Sequence, residues 1–161
     1  MGKVRRWLGI LAATLALGVL GAACAPGGPG VGSASCGMDA TSARVLADLN
    51  YARVTNGRAP LAANGQLTCL AQGWSSYLAA TNGFYHRNLQ SVIQSPGYAG
   101  YHTLGENILK GSYAMSADAM NTAWWNSPEH QANMLNPGFT SVGIGVAYAN
   151  GSVWATEDFG G

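Results

Sequence analysis

The stretch from Ser141 to Gly160 constrains the fold most, because one strand register fixes what both of its faces can touch. Asn150-Gly151 suits a two-residue type I′ turn, and strand-forming residues flank it on either side. Along the first strand Val142, Ile144, Val146 and Tyr148 point one way, and Gly143, Gly145, Ala147 and Ala149 the other. In this register Trp154 falls opposite Ala147, large against small. Neither face reads as water-facing. The bulky face can pack a core, while the small face lets another layer approach closely. A sheet covered on both sides by helices, an α+β sandwich, meets both demands.

Helical patterns fill the chain before that hairpin. Thr41 or Ser42 is positioned to cap a helix with Val45, Leu46, Leu49 and Ala52 on one face, ending near Asn56-Gly57. Leu67, Leu70, Ala71, Trp74 and Leu78 mark a second helix, stopped around Asn82-Gly83. Ser116 can cap a third, carrying Ala119, Met120, Ala123 and Trp124. Ser127-Pro128 opens a short fourth, since Pro at the first helical position loses no hydrogen bond. Asn136-Pro137-Gly138 ends it.

The beginning of the chain differs from the rest. Met1 to Arg6 is short and basic, and Trp7 to Ala23 is an uncharged Leu/Ala/Gly run that ends at Leu20-Gly21-Ala22-Ala23-Cys24. This three-part pattern predicts a secretory signal over residues 1–23. Cleavage before Cys24 with lipid added to its thiol is one outcome, and an uncleaved anchor is the alternative. Residues 24–35 form a Pro/Gly/Ser linker, and residues 36–161 the domain. Only 9% of residues are charged while 48% are hydrophobic, which excludes disorder. Losing Lys3, Arg5 and Arg6 leaves five basic residues against seven acidic ones, a net charge of −2 in place of +1. Nucleic acid is therefore not an expected partner, and contact with a membrane is expected only through a lipid on Cys24. In an oxidising compartment Cys36 and Cys69 can pair, closing a loop that stabilises by about 3 kcal/mol. A buried free thiol at Cys69 is the other reading.

Few residues are left to carry chemistry. There are three His and seven acids, and none forms a zinc-protease HExxH; the chain also has no GxSxG elbow and no phosphate-binding loop. The candidates are His86 in Phe84-Tyr85-His86-Arg87-Asn88, Glu106 in Leu104-Gly105-Glu106-Asn107-Ile108, and Glu129 and His130 in the segment opened by Ser127-Pro128. His130 falls in the first turn of that helix, where the positive end of the dipole keeps its imidazole neutral and able to ligate. The same dipole accounts for Glu129 without any site. His86 can simply cap the helix before it, and Glu106 can hold a loop. His102 reads as a surface loop residue.

An ordered set of motifs adds what spacing does not. Phe84 and His86 (F-x-H), Ala99-Gly100-Tyr101, Gly105–Ile108 (G-E-N-I), Ser127–Asn133 (S-P-x-H-x-x-N), Asn136–Ala147 (N-P-x-F-T-x-x-G-I-G-V-A) and Asp158–Gly160 (D-F-G) follow in this order. The chain from about Thr41 to Gly160 resembles the bacterial branch of the CAP superfamily. These are SCP-like domains related to cysteine-rich secretory, antigen 5 and pathogenesis-related 1 proteins. The resemblance implies a three-layer α-β-α sandwich with a central antiparallel sheet and a large cavity. It also implies that two His and two acidic residues converge there, carried over here to His86, Glu106, Glu129 and His130, with Zn²⁺ or another divalent cation as the group they would hold. Gln131 departs from the pattern, since Arg commonly follows this His.

Two function classes follow. One is a binding module, secreted or lipid-anchored on the outer face of the cell membrane, whose cavity takes a lipid, a peptide or a protein partner. The other is a metal-assisted hydrolase, a protease or esterase, with a carboxylate as general base. A Ser127-His130-Glu arrangement belongs to the second class, but Ser127 is read more economically as a helix cap. Binding is the preferred reading.

Overall fold

The computed structural model describes residues 35–95, 98 and 100–161. The expected signal, Cys24, all of the linker but Ser35, and Ala99 lie outside the described residues.

In chain order the elements are α1 (Ala40–Thr55), β1 (Ala62–Ala63), α2 (Gly65–Thr81), α3 (Leu89–Ile93), β2 (Leu104–Ser112), α4 (Ala117–Trp125), α5 (Pro128–Met134), β3 (Ser141–Ala149) and β4 (Ser152–Gly160). Short polar side chains start most of the helices. Asp39, and not Thr41 or Ser42, caps α1 by accepting the Ser42 N–H at 2.7 Å. Its carboxylate also meets the positive end of the helix dipole, an advantage that neither hydroxyl has. Asn64 accepts from the Gln66 and Leu67 amides to start α2, and Asn82 at φ 52° ends it. Ser116 caps α4 as expected. Ser127 sits at the N-cap of α5 but its hydroxyl makes no capping bond, and Pro128 follows at the first helical position.

The hairpin register is the expected one. Ala147 pairs with Trp154, and Asn150 and Gly151 take φ values of 47° and 73°. The sheet has the order β1-β3-β4-β2. Its three long strands are antiparallel, but the two-residue β1 pairs parallel to β3, so the sheet is mixed at that edge. Strand β2 was not expected. Its pattern L-G-E-N-I-L-K-G-S mixes buried polar with apolar residues, and it lies at the opposite edge, against β4.

The alternation along β3 assigns the layers. Val142, Ile144 and Val146 join Val45, Leu49, Met120, Trp124 and Phe159 in a core beneath α1 and α4. On the other face α2 lies directly on the glycines. A methyl group on Gly143 would overlap the Leu67–Thr68 backbone, and one on Gly145 the Ala71–Gln72 backbone. Trp154, opposite Ala147, fills a second cluster with Leu78, Ala79 and Ile108. Helices on both faces of one sheet make the α-β-α sandwich. The Cys36–Cys69 disulfide ties the entering chain to α2.

Arg53 is a buried charge that the helical pattern did not reveal. It is 1% exposed, and its guanidinium donates to the carbonyls of Ala59, Met134 and Asn136, tying the end of α1 to the end of α5. Burial lowers its pKa, with the nearby Arg58 charge adding to the effect.

Candidate functional site

The site is built at the β2 edge, where the pleat sends alternate residues to opposite faces. Glu106, Ile108 and Lys110 point towards α2, while Asn107 and Leu109 point towards α4 and α5. The partner strand continues the pattern, with Asp158 directly opposite Glu106 and Glu157 directly opposite Asn107.

On the α2 face the segment after that helix lays His86 and Arg87 across the two carboxylates. His86 Nδ1 lies 2.8 Å from Glu106 Oε1, which also accepts the Arg87 amide at 3.2 Å. Arg87 Nε donates to Glu106 Oε2, one terminal nitrogen donates to both Asp158 oxygens at 2.7 Å, and the other to the Leu70 carbonyl at 3.1 Å. The guanidinium also stacks over Trp74, with its carbon 5.2 Å from the ring centroid. In the tautomer in which His86 donates to Glu106 the ring proton sits on Nδ1, and Nε2, the acceptor, has no hydrogen bond among the described residues. Burial pushes the Asp158 carboxyl up to about 8; Arg87 opposes that shift and the Glu106 charge adds to it.

The opposite face holds an amide ladder. Asn107 Nδ2 donates to Glu157 Oε2 at 2.9 Å and to the His130 carbonyl at 3.2 Å, and Asn133 Nδ2 donates to Asn107 Oδ1 at 2.9 Å. This ladder docks α5 on β2 and so positions His130. Burial pushes Glu157 up to about 8, against the Asn107 hydrogen bond, so the carboxyl is mostly protonated at pH 7. Its Oε1 has no partner among the described residues.

His130 comes over the same edge from the α5 side. Burial lowers its pKa, the His86 charge lowers it further, and Glu129 acts in the other direction. A pocket of about 240 Å³ adjoins it, with Phe84, Ile108, Lys110, Trp124 and Ser127 in its wall. Lys110 is held over the Trp154 ring and by Asn82 Oδ1. No hydrogen bond joins Ser127 to His130 among the described residues.

The four expected site residues are therefore not equivalent. His86 and Glu106 touch, and His130 lies within electrostatic reach of His86. Glu129 projects from the exposed side of α5, and His102 is exposed. Among the described residues no three His, Cys, Asp or Glu side chains are grouped to hold a metal ion. Arg87, Asp158, Asn107, Glu157 and Asn133 complete the network, and single-residue reasoning did not select them. In a chain with 9% charged residues, the adjacent Arg87 and the acids Glu157 and Asp158 were the available signal.

This fold and this arrangement define a CAP domain. The model of the CAP family, described as the cysteine-rich secretory protein family, matches residues 46–159, and the chain belongs to that family. Its sequence is 32% identical over 128 residues to the uncharacterized protein YkwD of Bacillus subtilis (strain 168), covering 76% of this chain and 48% of the relative. The chain thus spans about half the length of that curated relative. Among solved structures, an extracellular protein containing an SCP domain from Bacillus anthracis str. Ames matches with a TM-score of 0.64 and 27% identity, over 74% of this chain and 39% of that one. An outer surface protein of Borrelia burgdorferi shares the fold with a TM-score of 0.66 at 15% identity, over 78% and 97% of the two chains.

Proposed function

We propose that the chain is an exported CAP-domain binding module whose ligand site is the β2 edge between His86 and His130. The observation that carries this reading is the pocket beside His130. Its wall is largely apolar, from Phe84, Ile108 and Trp124, with a few convergent polar groups, the arrangement common to ligand sites. It suits a lipid, a peptide or a segment of a protein partner that places an apolar part against Phe84. Export is supported by the similar proteins, described as extracellular or as an outer surface protein, and by the disulfide. Among the described residues no helix is long and apolar enough to cross a membrane.

The side chains present suit a weakly held divalent cation, with Zn²⁺ the best match to imidazole nitrogen. His86 Nε2 has no hydrogen bond among the described residues, and burial lowers the pKa of His130, which favours the neutral ring that ligates. Glu106 would orient His86 through Nδ1, the role a carboxylate plays behind a ligating histidine. When bound, the cation would supply a Lewis-acid contact to an oxygen of the ligand. Binding is favoured over hydrolysis because Glu106, the carboxylate a general base would need, spends both oxygens on His86 and Arg87. Among the described residues Ser127 also has no hydrogen bond to a base.

Calorimetric titration of the purified domain with Zn²⁺ tests the cation. Saturable binding is expected in the native protein and its loss in His86→Ala/His130→Ala; equal binding in the double variant would overturn the assignment. Mass spectrometry of lipids co-purified with the native protein and with a variant at the exposed pocket residue, Phe84→Ala, tests a lipid ligand. Turnover of ester or peptide substrates abolished by Glu106→Gln would instead favour the hydrolase.

A further inference from the structure

A second pocket, of about 200 Å³, lies between α1 and α4, away from the β2 edge. Its wall brings together two kinds of group that share one ligand preference. Asp48 and Asp118 supply carboxylates, while Tyr51 and Trp125 supply ring faces. Asn121, 8% exposed, lines this space and gives both protons of its amide nitrogen to the Val45 and Ala117 carbonyls, so the buried amide oxygen is its unused group. That oxygen has no partner among the described residues. The two carboxylates and the Asn121 oxygen are acceptors, and a buried acceptor left unpaired costs free energy that a donor would restore.

We propose that this pocket binds the terminal ammonium or guanidinium of a basic side chain carried by a peptide. The charge calls for a cation, and the rings accommodate its alkyl stem and attract its head. The unpaired Asn121 oxygen calls for an N–H donor, which a quaternary ammonium lacks. A hard metal cation needs six or more oxygen ligands, and the apolar wall of Trp125 and Met134 does not supply them. The protein already holds one basic group at the rim. Arg44 Nε lies 2.9 Å from both Asp48 oxygens and is also held charged, more weakly, by Asp118. That pair is exposed on the arginine side, so it is weak enough to be displaced. One arginine against two carboxylates leaves an unbalanced negative charge. This site is independent of the His86–His130 reading, and either can fail without the other.

The test is an NMR titration of the ¹⁵N-labelled protein, read at the Trp125 indole N–H and the Asn121 side-chain amide. The probe is a capped pentapeptide with a central lysine between alanines, compared with the same peptide carrying norleucine or trimethyl-lysine. The lysine peptide is expected to shift both signals, the norleucine peptide neither, and the trimethyl-lysine peptide to bind more weakly. Asp48→Asn and Asp118→Asn are each expected to weaken lysine binding about fivefold, and Arg44→Gln to strengthen it. Both acidic residues lie near the surface, and the remaining amide spectrum verifies that each variant is folded. Equal shifts from lysine and norleucine would reduce the site to an apolar cleft, and competition by Ca²⁺ alone would make it a metal site. Either result, or no effect of Asp118→Asn, would overturn the proposal.

Discussion

Glu106 and Asp158 face each other as direct partners across β2 and β4, both buried, and the Arg87 guanidinium binds both. Towards pH 8, where Asp158 ionises, two carboxylates at adjacent positions on one sheet face would repel strongly without that cation. The same contacts set the path of the chain after α2, and with it the position of His86.

Arg87→Met should therefore cost about 3–5 kcal/mol, the usual effect of leaving buried charges without their partner. The loss should be larger at pH 8 than at pH 5, because the orphaned carboxyls can take up protons at the lower pH. Urea denaturation at the two pH values measures both. A cost below 1 kcal/mol at pH 8 would show that the guanidinium does not hold the pair together.

Glu157 gives a pH dependence of definite sign. Its carboxyl titrates near 4.5 when unfolded and is pushed up to about 8 by burial, so the folded state binds more protons between those values. Its contribution is most favourable below pH 4.5 and is lost as pH rises towards 8. Glu157→Gln, which cannot ionise, should melt higher than the native protein at pH 8, and the difference should shrink by pH 5. Thermal melts across that range give the comparison.

The glycines of β3 admit α2 at backbone contact. Gly143→Ala and Gly145→Ala should each destabilise by about 3 kcal/mol or more, since the added methyl meets helix backbone that cannot move independently. Gly73, in the middle of α2, has open space where its Cβ would go, and Gly73→Ala should stabilise by about 0.5–1 kcal/mol. Chemical denaturation of the three variants separates packing from helix propensity.

The Cys36–Cys69 bridge closes a sequence separation of 33 residues. Cys36→Ser/Cys69→Ser should lose about 3–4 kcal/mol in the chain-entropy model. Denaturation of this double variant beside the native protein checks the size of the effect, and intact mass with and without reductant verifies the bridge.

The sequence by itself determined the hairpin, its register, and the demand for helices on both sides of the sheet. Those follow from period-two alternation and an Asn-Gly turn, which are local properties. It also determined most of the helix boundaries, through Ser116, Pro128 and Asn82, and it singled out His86, Glu106 and His130. Strand β2 stayed hidden because its Glu106 and Asn107 are polar where a strand pattern expects apolar residues. They are buried only because Arg87 and Glu157 satisfy them from elsewhere in the chain.

Only the tertiary structure decided how those side chains divide their work. The pleat sends Glu106 to one face with Asp158 and Asn107 to the other with Glu157. It engages both Glu106 oxygens and leaves Glu129 on an exposed helix side. Which partner a buried charge finds depends on contacts between residues far apart in sequence, such as Arg87 and Asp158, and no local pattern encodes such a pairing.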